Sequence, residues 1–343
     1  MNWLKKLDPD AVSLQCGDGA VWALPGLQGR IVCSMDGELL HRLDRDLAAT
    51  AKPGTFNNVG GNSLWPAPEG GPVAFNYYQK DPAAWGVQEA VNSQFAVCTE
   101  CSGTHAVMEK TMSLTNRTGA DMLVAWRREI RPADLARTAA EYRLKATGYE
   151  SEDTLLLQKP FSPEEALIAA WSLEQLPLSP DAYGFMVFDK AVPGMVNTGY
   201  YGDPVPYLDY AGNRVIFRFD SPSKLQIGAD AGSNPRLIGA CIPSRDLLIL
   251  RETAVVPGGT YIDIADNEQP AGPFAAGDAY SIFYGAELDF FELETIAPVI
   301  MEDGLVRGSL LQSRSMFFRG RFDDLARMMM DKYGFQLQQG VAK

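Results

Sequence analysis

Hydrophobic residues in this chain recur in short runs that alternate with polar positions and end at Gly, Pro, Asn or Asp. Representative runs are GAVWALPG, GRIVCSM, DMLVAWRREI, NRVIFRFD, YSIFYGA and FFELETIAP. Alternation with a period of two, bounded by turn residues, is typical of β-strands that bury one face. Because such runs fill most of the chain and helical patterns are few, the sequence predicts one large all-β sandwich.

Helical patterns are confined to a few segments. The C-terminal segment GRFDDLARMMMDKYGFQ predicts a helix, because apolar residues recur at helical spacing, at Leu325, Met328, Met329 and Tyr333. Ser162, Pro163 and Glu165 have the arrangement of an N-cap, a first-turn proline and a capping box, so a helix is expected to begin there. A further helix is expected in PADLARTAAEYRLKA, after Pro132.

The composition permits a large buried core, since 46% of the 343 residues are hydrophobic. No linker-like stretch divides the chain, and we expect a single domain over residues 1–343. Its core is expected at about residues 10–300, with residues 300–343 forming a strand and a helix that pack on that core.

The charge of the chain limits its partners. A formal net charge of −13 repels phosphate backbones and anionic lipids, so we expect neither nucleic acid nor membrane as a partner. The sequence has no apolar run of transmembrane length, and its start, MNWLKKLDPD, lacks the apolar centre of a signal peptide. We therefore expect a cytoplasmic protein, or a periplasmic one if a signal has been removed.

Several common catalytic motifs are missing. Histidine is scarce, with His41 and His105 the only two, and this weighs against serine, cysteine and zinc hydrolases, which usually need it. No P-loop, dinucleotide-binding or GxSxG motif is present. Cys98 and Cys101 form a CxxC pair, but without a second pair of ligands we interpret them as ordinary reduced thiols. His105 lies at the start of a strand, where a hydrogen-bonded histidine is the plainer interpretation.

The segment FFELET contains the best candidate for acid–base chemistry. In a strand, Glu292 and Glu294 lie on one face, and Phe291 and Leu293 lie on the other. Two neighbouring carboxylates raise the pKa of one of them, which would suit it to act as a general base. The alternative is a solvent-facing strand with both glutamates exposed.

A second candidate feature is GGNSLWPAPEGG at residues 60–71. Its glycines permit backbone angles closed to other residues and its prolines stiffen the chain, so Asn62, Trp65 and Glu69 would be held in a fixed display. Sugar rings pack on aromatic faces, and aromatic residues lie in or near this and other Gly- and Pro-rich stretches. They are Trp65, Tyr77, Tyr78, Trp85, Trp126, Trp171, Tyr200 and Tyr201. Filling the sandwich core is the alternative role for each.

Four segments, taken in order, resemble the galactose mutarotase-like (aldose 1-epimerase-like) superfamily. They are GLQGRIVCSMDG, GGNSLWPAPEGG, NRVIFRFDSPSKLQIGAD and FFELETIAP, and the match is closest to a poorly characterised branch with GGxxxWxxPEGG and ELExxxP stretches. The resemblance extends over about residues 10–300. It implies a β-supersandwich of two large, mostly antiparallel sheets, a ligand cleft on a concave face, a small-molecule carbohydrate ligand and no cofactor or metal.

The resemblance also implies roles for individual residues. In the epimerases of this superfamily a strand-borne Glu is the general base on the anomeric hydroxyl, and a His is the general acid on the ring oxygen. Glu292 takes the place of the Glu and Glu294 takes that of a hydroxyl ligand, although their order is reversible. No His matches the second role, which leaves Lys224, Arg127 and His105 as candidate acids.

These residues predict an aldose 1-epimerase-like isomerase that interconverts the anomers of a sugar or sugar derivative. In this reading Trp65 is a stacking platform, Asn62 is a hydroxyl ligand, and Trp171 adds a second aromatic face. Arg127 and Lys224 would favour an acidic sugar.

The first alternative is a non-catalytic carbohydrate-binding protein. The second is a lyase or hydrolase on the same fold, which would need Glu69 to converge with the two glutamates of FFELET. We expect a monomer or a homodimer.

Overall fold

The computed structural model describes residues 1–50, 56–75, 85–264 and 272–339. The strands in these ranges are β1 (Val12–Cys16), β2 (Gly19–Leu24), β3 (Arg30–Met35), β4 (Glu38–Leu39), β5 (Asn62–Ala67), β6 (Val97–Cys101), β7 (Ala106–Thr115), β8 (Asp121–Pro132), β9 (Lys145–Phe161), β10 (Ala169–Pro177), β11 (Tyr183–Val187), β12 (Leu208–Ala211), β13 (Arg214–Arg218), β14 (Leu225–Asp230), β15 (Leu237–Ile242), β16 (Leu247–Thr253), β17 (Asp278–Tyr284), β18 (Phe290–Ile296), β19 (Val299–Glu302) and β20 (Leu305–Arg319). The helices are α1 (Asn2–Leu7), α2 (Arg45–Thr50), α3 (Glu89–Asn92), α4 (Ala136–Tyr142) and α5 (Phe322–Tyr333).

The strands form two large antiparallel sheets. The nine-stranded sheet has the order β1-β2-β3-β5-β10-β18-β17-β14, with β4 paired to β3. The eleven-stranded sheet has the order β12-β13-β11-β15-β16-β20-β9-β8-β7-β6, with β19 paired to β20. This architecture confirms the prediction of an all-β sandwich with few short helices. No described helix has both the length and the apolar character needed to span a membrane.

The alternation of apolar residues explains how the sheets pack. In β8 every second residue from Met122 to Ile130 is buried, while the residues between them are exposed or half-buried, as expected for a strand with one face on the core. In β18 all seven residues are buried, so both faces of this central strand are covered. Its back contacts β16 and β20 of the eleven-stranded sheet.

Half of the segment GGNSLWPAPEGG forms a strand, since β5 covers its residues Asn62–Ala67. Gly60 and Gly61 have φ of +99° and +72°, and a Cβ at Gly60 would lie 2.3 Å from the carbonyl oxygen of Arg42. These two residues lead into β5, which lies between β3 and β10. The glycines therefore let the chain enter the middle of the nine-stranded sheet.

Only some of the helices predicted from the sequence form. Helix α5 forms as predicted, and its buried Leu325, Met328 and Met329 pack in a second apolar cluster with residues of the eleven-stranded sheet. The expected helix at Ser162 is wrong, because the chain makes one turn there and then runs buried into β10. The capping contact itself exists, since the Ser162 amide donates to Glu165 Oε2 at 3.1 Å.

A buried ionic network joins the two sheets. On the back of β10, Glu174 accepts hydrogen bonds from Tyr149 at 2.8 Å and Ser315 at 2.7 Å, and its Oε2 lies 3.3 Å from the Arg251 guanidinium. His41 Nε2 lies 2.9 Å from Glu174 Oε1. Burial alone would raise the pKa of Glu174, but Arg251 and His41 outweigh it and hold this pKa at about 2.

Candidate active site

A cleft of about 140 Å³ lies on the face of the nine-stranded sheet that is turned away from the other sheet. Strands β5, β10, β14, β17 and β18 form its floor, and loops form its rim. Its aromatic lining consists of Phe56, Trp65, Trp85, Trp171, Tyr201, Phe283 and Phe290. Its polar lining consists of Arg30, Asn58, Ser63, Glu69, Gln175, Gln226, Glu292 and Glu294.

Strand β18 brings two carboxyl groups to the floor of this cleft. Glu292 and Glu294 are two residues apart, so they share the cleft face while Phe291 and Leu293 enter the core. Glu292 lies opposite Gln175 of β10, whose Nε2 donates to Glu292 Oε1 at 2.8 Å. The exposed fractions are 7% for Glu292 and 1% for Glu294, which rules out a solvent-facing strand.

Glu294 is held from three directions. The indole Nε1 of Trp171 donates to Glu294 Oε2 at 3.0 Å, and the amide of Gln226 lies 3.2 Å from the same oxygen. Ser281 contributes a further hydrogen bond. Trp171 thus has its indole N–H directed at the carboxyl pair, a role that aromatic stacking alone would not suggest.

The two carboxyl groups have strongly perturbed acidities. Burial raises the pKa of Glu292 to about 7. Burial and the neighbouring Glu292 charge raise the pKa of Glu294 well above its usual range. A hydrogen bond between the two carboxyls stabilises the charged form of Glu292. As pH rises above about 7 the pair therefore holds one proton, with Glu292 as the more acidic member and Glu294 as the protonated one.

Two arginines compensate the negative charge of the pair. Arg30 and Arg42 both favour the charged form of Glu292, and Arg42 also donates to Gln175 Oε1 at 3.0 Å. Burial and the neighbouring Arg42 charge lower the pKa of Arg30 to about 10. Even so, Arg30 remains charged at neutral pH and keeps a cation beside the base.

The aromatic residues form two walls. On one wall Trp65 packs edge-on against Phe56 and Trp171, each with ring centroids 6.1 Å apart. On the other wall Tyr201 packs edge-on against Phe283 at 6.0 Å. The Nζ of Lys224 lies 3.8 Å from the Tyr201 ring centroid, which brings this cation to the outside of the second wall.

Five of the nine candidate residues from the sequence line this cleft: Trp65, Glu69, Trp171, Glu292 and Glu294. Glu69 accepts a hydrogen bond from Trp85 Nε1 at 2.8 Å. Lys224 does not line the cleft and reaches it only through Tyr201. Tyr77 and Tyr78 lie outside the described residues.

Asn62, Arg127 and His105 lie away from the cleft. Asn62 is fully buried and faces the sandwich interior, where Arg128 and Ser172 bind its side chain, because it lies an odd number of residues from Trp65 on β5. Arg127 is on β8 of the other sheet, where it pairs with Glu109 and Glu129. His105 follows β6 at the edge of that sheet and bonds Ser102 at 2.9 Å.

Sequence reasoning missed several polar residues of the cleft. Gln175 and Gln226 each contact a carboxyl of the pair, yet both come from strands far from β18 in the sequence. The only signal for Gln175 was its period-two spacing from Trp171 on β10. In the part of the chain that the structure describes, no group of three or more His, Cys, Asp or Glu is arranged to hold a metal ion.

Comparison with known proteins gives a family and a fold. A family model described as a family of unknown function, DUF6786, matches residues 1–340. Comparison with curated proteins gives no match.

Solved structures with this fold include three with carbohydrate-related names. A protein of Escherichia coli K12 assigned as an aldose 1-epimerase has 14% identity and a TM-score of 0.51 over 90% of this chain and 98% of its own. A galactose mutarotase-like protein from Lactobacillus casei ATCC 334 has 10% identity and a TM-score of 0.50 over 90% and 99%. An aldose epimerase homologue from C. elegans has 6% identity and a TM-score of 0.51 over 91% and 99%. At these identities the likeness establishes the fold alone.

Proposed function

The chain belongs to the family of unknown function DUF6786, and from the cleft it carries we propose that it interconverts the anomers of a reducing sugar. One observation carries this proposal. Two buried carboxyl groups, those of Glu292 and Glu294, lie side by side on the floor of an aromatic-lined cleft, and burial raises the pKa of both. Such a pair contains a general base and a general acid side by side, without a histidine.

The proposed reaction uses both carboxyls at one carbon of the sugar. The Glu292 carboxylate takes the proton of the anomeric hydroxyl, while the Glu294 carboxylic acid gives its proton to the ring oxygen. The bond between the anomeric carbon and the ring oxygen breaks as the carbonyl forms. Rotation of the aldehyde followed by the reverse transfers gives the other anomer and restores the starting protonation. This assignment replaces the external acids considered from the sequence, Lys224, Arg127 and His105.

The surroundings of the pair support these roles. Gln175 and the cations of Arg30 and Arg42 favour the charged form of Glu292, which a general base requires. Trp171 and Gln226 hold Glu294 in place without removing its proton, because burial and the Glu292 charge dominate its pKa. The aromatic walls offer apolar faces on which a sugar ring can pack.

The direct test is anomer exchange measured by saturation-transfer NMR on a panel of aldoses. Exchange above the buffer rate for at least one neutral or acidic aldose is expected. If no aldose on the panel exchanges faster than in buffer, mutarotation of those sugars is excluded. Binding without exchange would then favour the non-catalytic carbohydrate-binding protein.

A second candidate function is glycoside hydrolysis by carboxyl groups alone. Glu69 lines the same cleft, and its charge adds to the raised pKa of Glu294. The three carboxyls needed for this alternative therefore converge. Release of reducing sugar from a glycoside would favour the hydrolase, whereas exchange of a free aldose without such release favours the isomerase.

Replacement of Trp65 by Ala is expected to weaken sugar binding by about tenfold, because roughly 1 kcal/mol or more of stacking and apolar contact is lost. The measurement is isothermal titration with the best aldose of the panel. Phe274→Ala is the matched control, since Phe274 is 54% exposed and does not line the cleft. An unchanged affinity in Trp65→Ala would remove Trp65 from the site.

The pH dependence of kcat/KM should follow the carboxyl pair. Since Glu292 must be charged, the rate should rise as pH passes through about 7, the pKa to which burial raises this group. Since Glu294 must stay protonated, the rate should fall again at higher pH. The profile is measured after subtraction of the buffer-catalysed rate at each pH. A rate that falls as pH rises through 7 would contradict the assignment of Glu292 as base.

A further inference from the structure

The pair Cys98 and Cys101 lies on β6, far from the cleft. Strand β6 is at the edge of the eleven-stranded sheet and, among the described residues, pairs only with β7. Cys101 is exposed and Cys98 is half-buried, whereas Cys16, Cys33 and Cys241 are all buried. The exposed pair therefore differs in accessibility from every other cysteine of the chain.

An irregularity in β6 brings the two thiols to the same side of the sheet. In a regular strand, residues three apart point to opposite faces. Here Cys98 lies opposite Met108 and Cys101 lies opposite Ala106, with a register shift between Cys98 and Glu100. Thr99 is the extra residue of this bulge, so the two cysteines face partners that are only two residues apart on β7. Their side chains thus share one face.

The two thiols are also close enough to influence each other. Cys98 Sγ donates a hydrogen bond to the carbonyl oxygen of Glu100 at 3.5 Å. Burial and the neighbouring Cys101 side chain raise the pKa of Cys98. The more exposed Cys101 is therefore better suited to attack an incoming molecule, and Cys98 is positioned to react second.

We propose that Cys98 and Cys101 form a redox-active dithiol that reacts with low-molecular-weight disulfides. The Cys101 thiolate attacks one sulfur of the small disulfide, forming a mixed disulfide and releasing one thiolate. The Cys98 thiolate then attacks the Cys101 sulfur, forming the bond between the two protein sulfurs and releasing the second thiolate. In total two protein thiols are oxidised, one small disulfide is reduced to two thiols, and both protein protons pass to the products.

The backbone favours a reversible disulfide over a structural one. Cα atoms two strand positions apart lie about 6.6 Å from one another. That distance is near the upper limit of about 6.8 Å that a disulfide spans without backbone movement. Strained and exposed disulfides are the more easily reduced ones. The pair should therefore open again when a dithiol reductant is added.

The experiment treats the folded full chain with glutathione disulfide and follows the mass of the intact protein. The wild type is expected to lose the mass of two hydrogen atoms, with no lasting glutathione adduct. Cys98→Ser is expected to keep one glutathione on Cys101, because the second thiol is missing. Cys101→Ser should react at least about tenfold more slowly than Cys98→Ser, since its remaining thiol, Cys98, is less exposed and has a pKa raised by burial.

Peptide mapping identifies the cysteines that have reacted, and Cys241→Ser is the matched control because Cys241 is buried. It should behave as the wild type does. A stable glutathione adduct on the wild type, or a glutathione-free Cys98→Ser, would overturn the proposal. Restoration of the original mass by dithiothreitol at neutral pH is expected, and a disulfide that resists this reductant would contradict the reversible role.

Discussion

The variant Glu292→Gln is expected to lose anomer exchange, with kcat/KM lowered by about 10³-fold for any aldose that the wild type converts. Glutamine keeps the shape of the side chain but accepts no proton, so the anomeric hydroxyl has no base. Saturation-transfer NMR under the conditions of the aldose panel gives the rates. Sugar affinity should change much less than the rate, because the aromatic walls are untouched.

The melting temperature of Glu292→Gln distinguishes a loss of catalysis from a loss of folded protein. The raised pKa of Glu292 means that its charged form is disfavoured in the folded protein. Charging of this group therefore costs folding free energy as pH rises above the unfolded pKa of about 4.3. A neutral glutamine removes that cost, so the melting temperature of Glu292→Gln should equal or exceed that of the wild type at pH 8.

Glu287→Gln is the matched control, because Glu287 is exposed between β17 and β18 and does not line the cleft. It should retain the wild-type rate. Exchange by Glu292→Gln at the wild-type rate would refute the proposed base.

The variant Arg251→Met is expected to lower the free energy of unfolding by about 3–5 kcal/mol, because it leaves the buried Glu174 carboxylate without its cation. Both side chains of this pair are fully buried. Arg251 also donates to the Leu293 carbonyl at 2.8 Å and to the Ser172 hydroxyl at 2.6 Å. Urea unfolding at neutral pH gives the free energy.

The double variant Glu174→Gln with Arg251→Met shows how much of the lost stability comes from the unpaired charge of Glu174 and how much from the lost packing of Arg251. It should be more stable than Arg251→Met alone, because no charge is then buried unpaired. The pKa of Glu174 is depressed in the folded wild type, so its stabilisation is present above the unfolded pKa and is lost as pH falls towards about 2. Arg251→Met should show a weaker acid dependence, because His41 and the hydrogen bond of Ser315 then hold down the pKa of Glu174 without the Arg251 charge. A destabilisation below about 1 kcal/mol would show that the network is dispensable.

The fold and the glutamate pair could be predicted because both depend on local periodicity. The period of two in FFELET fixes which residues share a face, whatever the strand packs against. The spacing of apolar residues in α5 is equally local. The helix predicted at Ser162 does not form, because its local signals are outweighed by packing between distant residues. One turn satisfies the capping contact, and the apolar residues that follow enter the sheet.

The rest of the cleft depends on register between distant strands. The sequence predicts Asn62 and Trp65 in one fixed display, but as residues of β5 that are an odd number of positions apart they point to opposite faces. The pairing of Gln175 with Glu292 joins strands more than a hundred residues apart, and no local pattern encodes it. For the same reason no local pattern shows which aromatic residues face the cleft and which fill the core. Trp126 is in the core, whereas Trp65 and Trp171 line the cleft.

The cleft has its reacting groups on strands and much of its rim on loops. Glu292, Glu294 and Gln175 belong to two hydrogen-bonded strands whose backs are fixed to the other sheet by Arg251. Phe56 and Asn58 come from one loop segment, and Trp85 and Tyr201 come from two others. Changes in those loops can alter which molecule fits without moving the carboxyl pair. If the proposed isomerase activity holds, exchange of these rim segments is expected to change which sugar is bound while the carboxyl pair stays in place.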